Sequence, residues 1–197
     1  MNNDRVRETL QSDYFDNIYQ ANDDPWNFSV SEYEAGKYAA TLAALPHEKY
    51  ESAFEIGCSI GVLTAQLALR CHSLLAVDVN QKALQQARDR CQNLSNVKLE
   101  LMQVPQAFPD EKFDLILVSE VGYYLSVNDW QQTQRKIIEH LNIGGNVCLV
   151  HWTHVVEDYP QTGNAVHDSF ADWSKNKLQH LQMECTADYR LDVWEKL

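Results

Sequence analysis

An α/β fold, doubly wound about a mostly parallel sheet, is what this chain predicts, and three observations predict it. From residue 51 onward, short apolar runs alternate with segments of helical periodicity. The runs are short and nearly free of charge, as strands covered on both faces must be. Glycines stand where the first run meets the first helix, and an acid closes the next run about 20 residues later.

Residues 1–50 carry many aromatics among acids and read as a helical cap over that fold. Asn22-Asp23-Asp24-Pro25-Trp26 is a turn by composition. A helix follows over Glu32 to Leu45, ended by Pro46. Ala53–Ile56 is the first strand, and Gly61 opens a helix from Val62 to Leu69. Ser73–Val77 is the second strand, closing on Asp78. Asn80 caps a helix that puts Ala83, Leu84, Ala87 and Cys91 on one face. Val97–Met102 and the almost wholly apolar Phe113–Val118 are the third and fourth strands. Asn128 is expected to cap a helix ended by Gly144-Gly145, before a fifth strand at Asn146–Val150. Beyond it, Thr162 to Lys175 fits a helix, and Leu178–Thr186 with Tyr189–Lys196 fits an antiparallel hairpin.

At 197 residues the chain suits one domain with a real core. A net charge of −12 disfavours nonspecific binding of nucleic acid or an anionic membrane, and suits a cationic ligand or an amine. The five cysteines are scattered, with no Cys-x-x-Cys pair, so neither a zinc ribbon nor a disulfide framework is expected. Residues 1–16 are polar, and no apolar run approaches the roughly 18 residues of a membrane span. The expected compartment is the cytoplasm.

The strongest local signal is Phe54-Glu55-Ile56-Gly57-Cys58-Ser59-Ile60-Gly61. Open α/β sheets bind ligands beyond the carboxyl ends of their strands, and Asp78 stands where an acid can accept ribose hydroxyls. A dinucleotide loop would have glycine where Ser59 stands. Glu55 is a poor neighbour for pyrophosphate but a good one for an ammonium or a sulfonium. S-adenosylmethionine carries both cations and no phosphate. A nicotinamide cofactor and a merely structural glycine turn are the rival readings.

At these residues the chain resembles the class I methyltransferases, and within them the NodS-like nodulation N-methyltransferase family. The resemblance rests on Tyr14-Phe15-Asp16, Asp24-Pro25-Trp26-Asn27-Phe28, Tyr33-Glu34 with Lys37-Tyr38, and the glycine loop. It continues through Leu75-Ala76-Val77-Asp78-Val79, Ser119-Glu120-Val121 with Tyr123-Tyr124, His151-Trp152, Tyr159-Pro160 and Val166-His167-Asp168. The resemblance implies a Rossmann-like sheet of seven strands, the last antiparallel, in one domain over 1–197. That domain would comprise a cap (1–50), a cofactor-binding core (51–152) and a C-terminal helix and strand pair (153–197). It implies S-adenosyl-L-methionine as cofactor, S-adenosyl-L-homocysteine as product, and an amine acceptor on an amino sugar. One departure is Gly36, where the family commonly has arginine.

The cofactor residues expected on this basis are Trp26, Glu55, Gly57, Cys58, Gly61, Asp78, Val79, Val104 and Ser119. Val104-Pro105 would pass the adenine. The catalytic candidates are Glu120, as ammonium ligand or base, His151, as general base, and Tyr124, as a hydroxyl or π-face toward the reacting groups. Trp152 and Tyr33 are further wall candidates, with burial as the rival reading. No metal site is expected, since His167 and Asp168 lack a third ligand. The reaction expected is N-methylation of a small molecule. O-methylation of a hydroxyl or carboxylate, and a module that binds the cofactor without turnover, stand as alternatives.

Overall fold

The structure is a computed structural model that describes residues 7–197. Two helices come first, α1 (Ser12–Ala21) and α2 (Glu32–Ala44). Then follow β1 (Tyr50–Ile56), α3 (Val62–Leu67), β2 (Cys71–Asp78), α4 (Gln81–Cys91), β3 (Val97–Leu101) and β4 (Phe113–Ser119). The chain ends with α5 (Val127–His140), β5 (Leu141–Trp152), α6 (Gly163–Ser174), β6 (Leu178–Cys185) and β7 (Tyr189–Lys196). The seven strands form one sheet in the order β3-β2-β1-β4-β5-β7-β6. Neighbours from β3 to β5 pair in parallel, and β7 is antiparallel to both β5 and β6. The winding reverses between β1 and β4, and such a switch point opens a crevice at the carboxyl ends of the strands.

Both faces of the sheet are buried, and the two-residue period of a strand sorts its side chains between them. Phe54, Ile56, Ile116, Val118, Val147 and Leu149 join one core with Trp130 and Phe170. Their alternates Ala53, Leu115, Leu117, Cys148 and Val150 join the other, with Tyr38, Leu63 and Leu67.

Several boundaries differ from the sequence expectation for identifiable reasons. Helix α3 stops at Leu67 and tightens into a 3-10 turn over Ala68–Arg70. Asn96 holds that turn by donating to the Ala68 and Cys71 carbonyls at 2.8 and 2.9 Å. Ser126, not Asn128, caps α5: its hydroxyl accepts from the Asp129 amide at 3.1 Å. Thr9 fixes this start by accepting the Ser126 amide at 2.8 Å. Gly144-Gly145 does not end α5 either, because Leu141 already pairs with Phe113 in the sheet. The two glycines fall inside β5, at a register irregularity opposite Asp114, and a Cβ on Gly145 would lie 3.0 Å from the Asp114 carbonyl. Asn80 and Thr162 cap α4 and α6, accepting from the Ala83 and Ala165 amides.

Helix α1 had no counterpart in the sequence reading. It turns Phe15 and Tyr19 inward and is pinned to α4, where Asn80 donates to Asp16 at 2.7 Å and Lys82 donates to the Tyr19 carbonyl at 2.6 Å. Among the described residues no helix is long and apolar enough to cross a membrane.

Candidate active site

A cavity of about 360 Å³ lies over the carboxyl ends of β1, β2 and β4, roofed by α1 and α2. Its floor is the turn after β1. Gly57 has φ +88°, and a Cβ there would lie 2.2 Å from Val121 Cγ2, so only glycine fits. The amides of Gly57, Cys58, Ser59 and Gly61 in the turn are engaged within the protein. Gly57 and Cys58 donate to the Val77 carbonyl at 2.9 and 3.0 Å, and Gly61 donates to the Cys58 carbonyl at 2.9 Å. Ser59 donates to Asp78 Oδ2 at 2.8 Å.

Asp78 lines the cavity at the end of β2 and also accepts the Asn80 amide at 2.9 Å. Burial raises its carboxyl above the usual range, against the pull of these amides. Val79, Met102 and Val104 make an apolar wall beside it. Trp26 closes that half, stacked on Phe28 with centroids 5.5 Å apart and edge-on to Tyr19 at 5.6 Å. The Asp24 carboxylate shapes this entry turn by accepting the Phe28 and Ser29 amides at 2.8 and 2.9 Å.

The other half is acidic and aromatic. Glu120, just past β4, has φ +58°, a strained conformation for a residue with a side chain. Its Oε1 accepts from Lys37 Nζ at 2.5 Å. Its Oε2 accepts from the Tyr123 hydroxyl at 2.5 Å and from the Trp152 amide at 2.9 Å. Lys37 also lies 3.0 Å from the Glu34 carboxylate and 5.2 Å from the centre of the Tyr33 ring. Burial alone would lower the Lys37 ammonium, but Glu120 and Glu34 outweigh it and hold it above its ordinary value. Tyr123 and Tyr124 are both buried, and burial with the nearby Glu120 and Tyr159 raises their phenols far above the ordinary value. Among the described lining residues Lys37 is the one cation.

Of the expected site residues, Trp26, Gly57, Asp78, Val79, Val104, Ser119, Glu120 and Tyr124 line this cavity, as do Tyr33 and Trp152. Four others do not. Cys58 packs with Ala76 and Leu84 on the far side of the turn. Gly61 serves helix packing, because a Cβ there would lie 2.9 Å from Ala87 of α4. Glu55 alternates with Ile56 and so falls on the opposite face of β1, beside a smaller cavity of about 30 Å³. Its Oε2 has no hydrogen-bond partner, and burial, partly offset by Thr64, pushes its carboxyl up to about 7. His151 is fully buried behind the turn that carries Tyr123 and Tyr124, and accepts the Gly122 amide at Nε2. Burial, then His167 and Lys37, hold its imidazole well below the ordinary value, so it is neutral and faces protein rather than cavity.

Lys37, Tyr19 and Tyr159 line the cavity without having been assigned roles from the sequence. The signal for Lys37 was present: Glu34 and Lys37 lie three residues apart on a helix, and so share a face.

A sheet of this order, with a glycine turn after β1 at its switch point and an acid ending β2, defines a Rossmann-like methyltransferase fold. The crystal structure of N-methyltransferase NodS from Bradyrhizobium japonicum WM9 with S-adenosyl-L-homocysteine matches it with a TM-score of 0.82 at 23% identity. The match covers 94% of this chain and 97% of that one. A family model described as Nodulation protein S (NodS) matches residues 6–150, and the chain belongs to that family. Nodulation protein S of Rhizobium tropici is 31% identical over 131 residues, which is 66% of this chain and 55% of that protein. The Bradyrhizobium diazoefficiens protein is 37% identical over 104 residues, 52% of this chain and 50% of its own length. The chain thus spans about half the length of the curated relatives it matches.

Proposed function

We propose that the chain is an S-adenosylmethionine-dependent methyltransferase that N-methylates a small-molecule amine, such as that of an amino sugar. The observation that carries this reading is the donor chemistry of the cavity. The amides of Gly57, Cys58, Ser59 and Gly61 are taken within the protein, and the lining cation Lys37 is held between two carboxylates, so the cavity offers pyrophosphate no uncommitted positive charge. What remains is an acid at the ribose position, an apolar adenine wall, and an acidic, aromatic half suited to cations. The match to a structure named as an N-methyltransferase supports the same class.

S-adenosylmethionine, when bound, would supply an electrophilic methyl group on a sulfonium. Asp78 would hold its ribose, Trp26, Val79 and Val104 its adenine, and Gly57 and Ser119 its amino-acid end. Glu120, Tyr123, Tyr124 and Trp152 would position the acceptor. Holding nucleophile and methyl in line is the main service such a site gives.

Calorimetric titration with S-adenosylhomocysteine, with NADH as control, tests the cofactor. Micromolar binding of the first alone is expected, and binding of NADH instead would refute the class. Transfer of labelled methyl to a panel of amines, amino sugars, alcohols and carboxylates then tests the acceptor. Labelling confined to hydroxyl or carboxylate acceptors would replace the amine reading with O-methylation.

A further inference from the structure

Behind the acceptor half runs a buried line of polar groups that the proposed chemistry does not use. His151 Nε2 accepts the Gly122 amide at 3.0 Å. His151 Nδ1 lies 3.0 Å from His167 Nε2, and His167 Nδ1 lies 2.7 Å from Asp192 Oδ2. All three side chains are fully buried. The line starts on β7, crosses α6 and β5, and ends on the 3-10 turn Gly122–Tyr124. That turn carries both cavity tyrosines, next to Glu120.

The proton positions along this line follow from its ends. An amide can only donate, so His151 Nε2 must be bare and its proton must sit on Nδ1. His151 Nδ1 then donates to His167 Nε2, which must also be bare, and His167 Nδ1 donates to Asp192. Asp192 is suited to receive it. Although burial opposes its charge, His167 and the Arg190 guanidinium, which donates at 2.6 Å, hold its carboxyl below the ordinary value. His180 on β6 touches the other Asp192 oxygen at 2.7 Å, and Arg190 also pairs with Asp168 of α6. On the cavity side, the charged groups nearest the line are Lys37 and Glu120. The approach at the turn is close enough to require glycine: a Cβ on Gly122 would lie 3.0 Å from His151 Nε2 and 2.5 Å from Val166 Cγ1.

We infer that His151 and His167 are positioning residues, oriented by Asp192, whose proton order makes His151 the acceptor that fixes the Gly122–Tyr124 turn against the acceptor half of the cavity. The inference rests on the methyltransferase reading only for its kinetic consequence. The proton order itself is a property of the chain. Asp192 lies outside the cavity lining, so its influence on turnover would pass through the two rings.

Nitrogen-15 NMR of the intact, histidine-labelled chain at neutral pH tests the order directly. Both rings are expected neutral, with the proton on Nδ1, opposite to the form imidazole favours in water. A proton on Nε2 of either ring would overturn the inference. Kinetics supply the second arm. In Asp192→Asn the new amide can donate to His167 Nδ1, which reverses the proton order and sets a proton on His151 Nε2 against the Gly122 amide. His151→Asn removes the Nε2 acceptor, whereas His151→Gln can keep an oxygen there. Asp192→Asn and His151→Asn are expected to lower kcat about 10- to 100-fold, the scale of a misplaced site. Affinity for S-adenosylhomocysteine should be kept, and His151→Gln should recover most of the kcat loss. Unchanged kcat in His151→Asn, or equal losses in the Asn and Gln variants, would overturn the inference. If the parent chain does not bind S-adenosylhomocysteine, the methyltransferase reading fails and the NMR arm still decides the proton order.

Discussion

Glu55 offers a sharp test of the physical account of the glycine turn. Its carboxyl is almost wholly buried, one oxygen has no partner, and its ionisation is displaced from 4.5 up to about 7. For a raised carboxyl, stability is fully present below the unfolded value of 4.5 and is lost as pH rises through the folded value. Between pH 5 and pH 8 the linkage relation gives a loss of roughly 2.5 kcal/mol attributable to this one group. Glutamine at the same place does not titrate, so Glu55→Gln should escape that loss. The assay is urea unfolding of both proteins without cofactor at pH 5 and pH 8. The variant should gain on the parent by roughly 2.5 kcal/mol between the two, a midpoint shift of about 1 M for a slope near 2–3 kcal/mol/M. Parallel pH dependences would show that Glu55 ionises normally, through solvent or a partner, and would refute the burial of its carboxyl without a full set of partners.

Four further outcomes are expected. Asp78→Ala should weaken S-adenosylhomocysteine binding by about 1–3 kcal/mol in calorimetry, the scale of a hydrogen bond to a charged group; unchanged affinity would remove Asp78 from the site. Lys37→Met should leave Glu34 and Glu120 without their counter-charge and destabilise the fold by about 3–5 kcal/mol in denaturant melts, partly restored when Glu34→Gln is added. Because His151 and His167 are both held below their ordinary value of 6.5, their stability is present above pH 6.5 and is lost below it. Thermal melts should therefore fall with acid by up to about 1.4 kcal/mol per pH unit for each histidine, and replacing both with apolar residues should flatten the slope. Finally, the alkaline rise of kcat/KM should track the ionisation of the acceptor amine, so two amines differing in pKa should give displaced profiles; coincident profiles would point to an enzymic base.

The fold was legible because its cues are local and repeated. Short apolar runs, Asn80 before α4 and the alternation in Tyr189–Lys196 each sit within a few residues of the structure they specify. The boundary errors arose where distant contacts outvote a local cue, as with Leu141 pairing to Phe113 and Thr9 holding Ser126. Cavity residues adjacent to strand ends, such as Asp78, Ser119 and Glu120, were legible because the carboxyl edge of a parallel sheet is where its ligands bind. Glu55 falls outside the larger cavity because strand side chains alternate, which puts it on the other face of β1 from Ile56, beside a small cavity that shares Gly57, Ser59, Ser119 and Glu120 with the larger one. His151 was read from the same strand end, but its environment is made by α6 and β7, which sequence proximity does not reveal. Helix α1 has a strong aromatic content without the capping signal that marks α2, where Ser31 accepts the Glu34 amide.

These placements change what the acceptor half can do. A carboxylate beside an amine suggests a base, but Glu120 already receives three donors, and removing a proton would require it to release one of them. Tyr123 and Tyr124 hold their protons more tightly than free phenols, and the two buried histidines are turned away from the cavity. The lining therefore favours orientation over proton removal. Lys37 neutralises much of the local acid, Glu120 ties α2 to the ends of β4 and β5, and the histidine line holds the next turn from behind. On the proposed reaction, an amine entering neutral from water would need only a place in line with the methyl, and this ion-paired, hydrogen-bonded wall would supply it without an enzymic base.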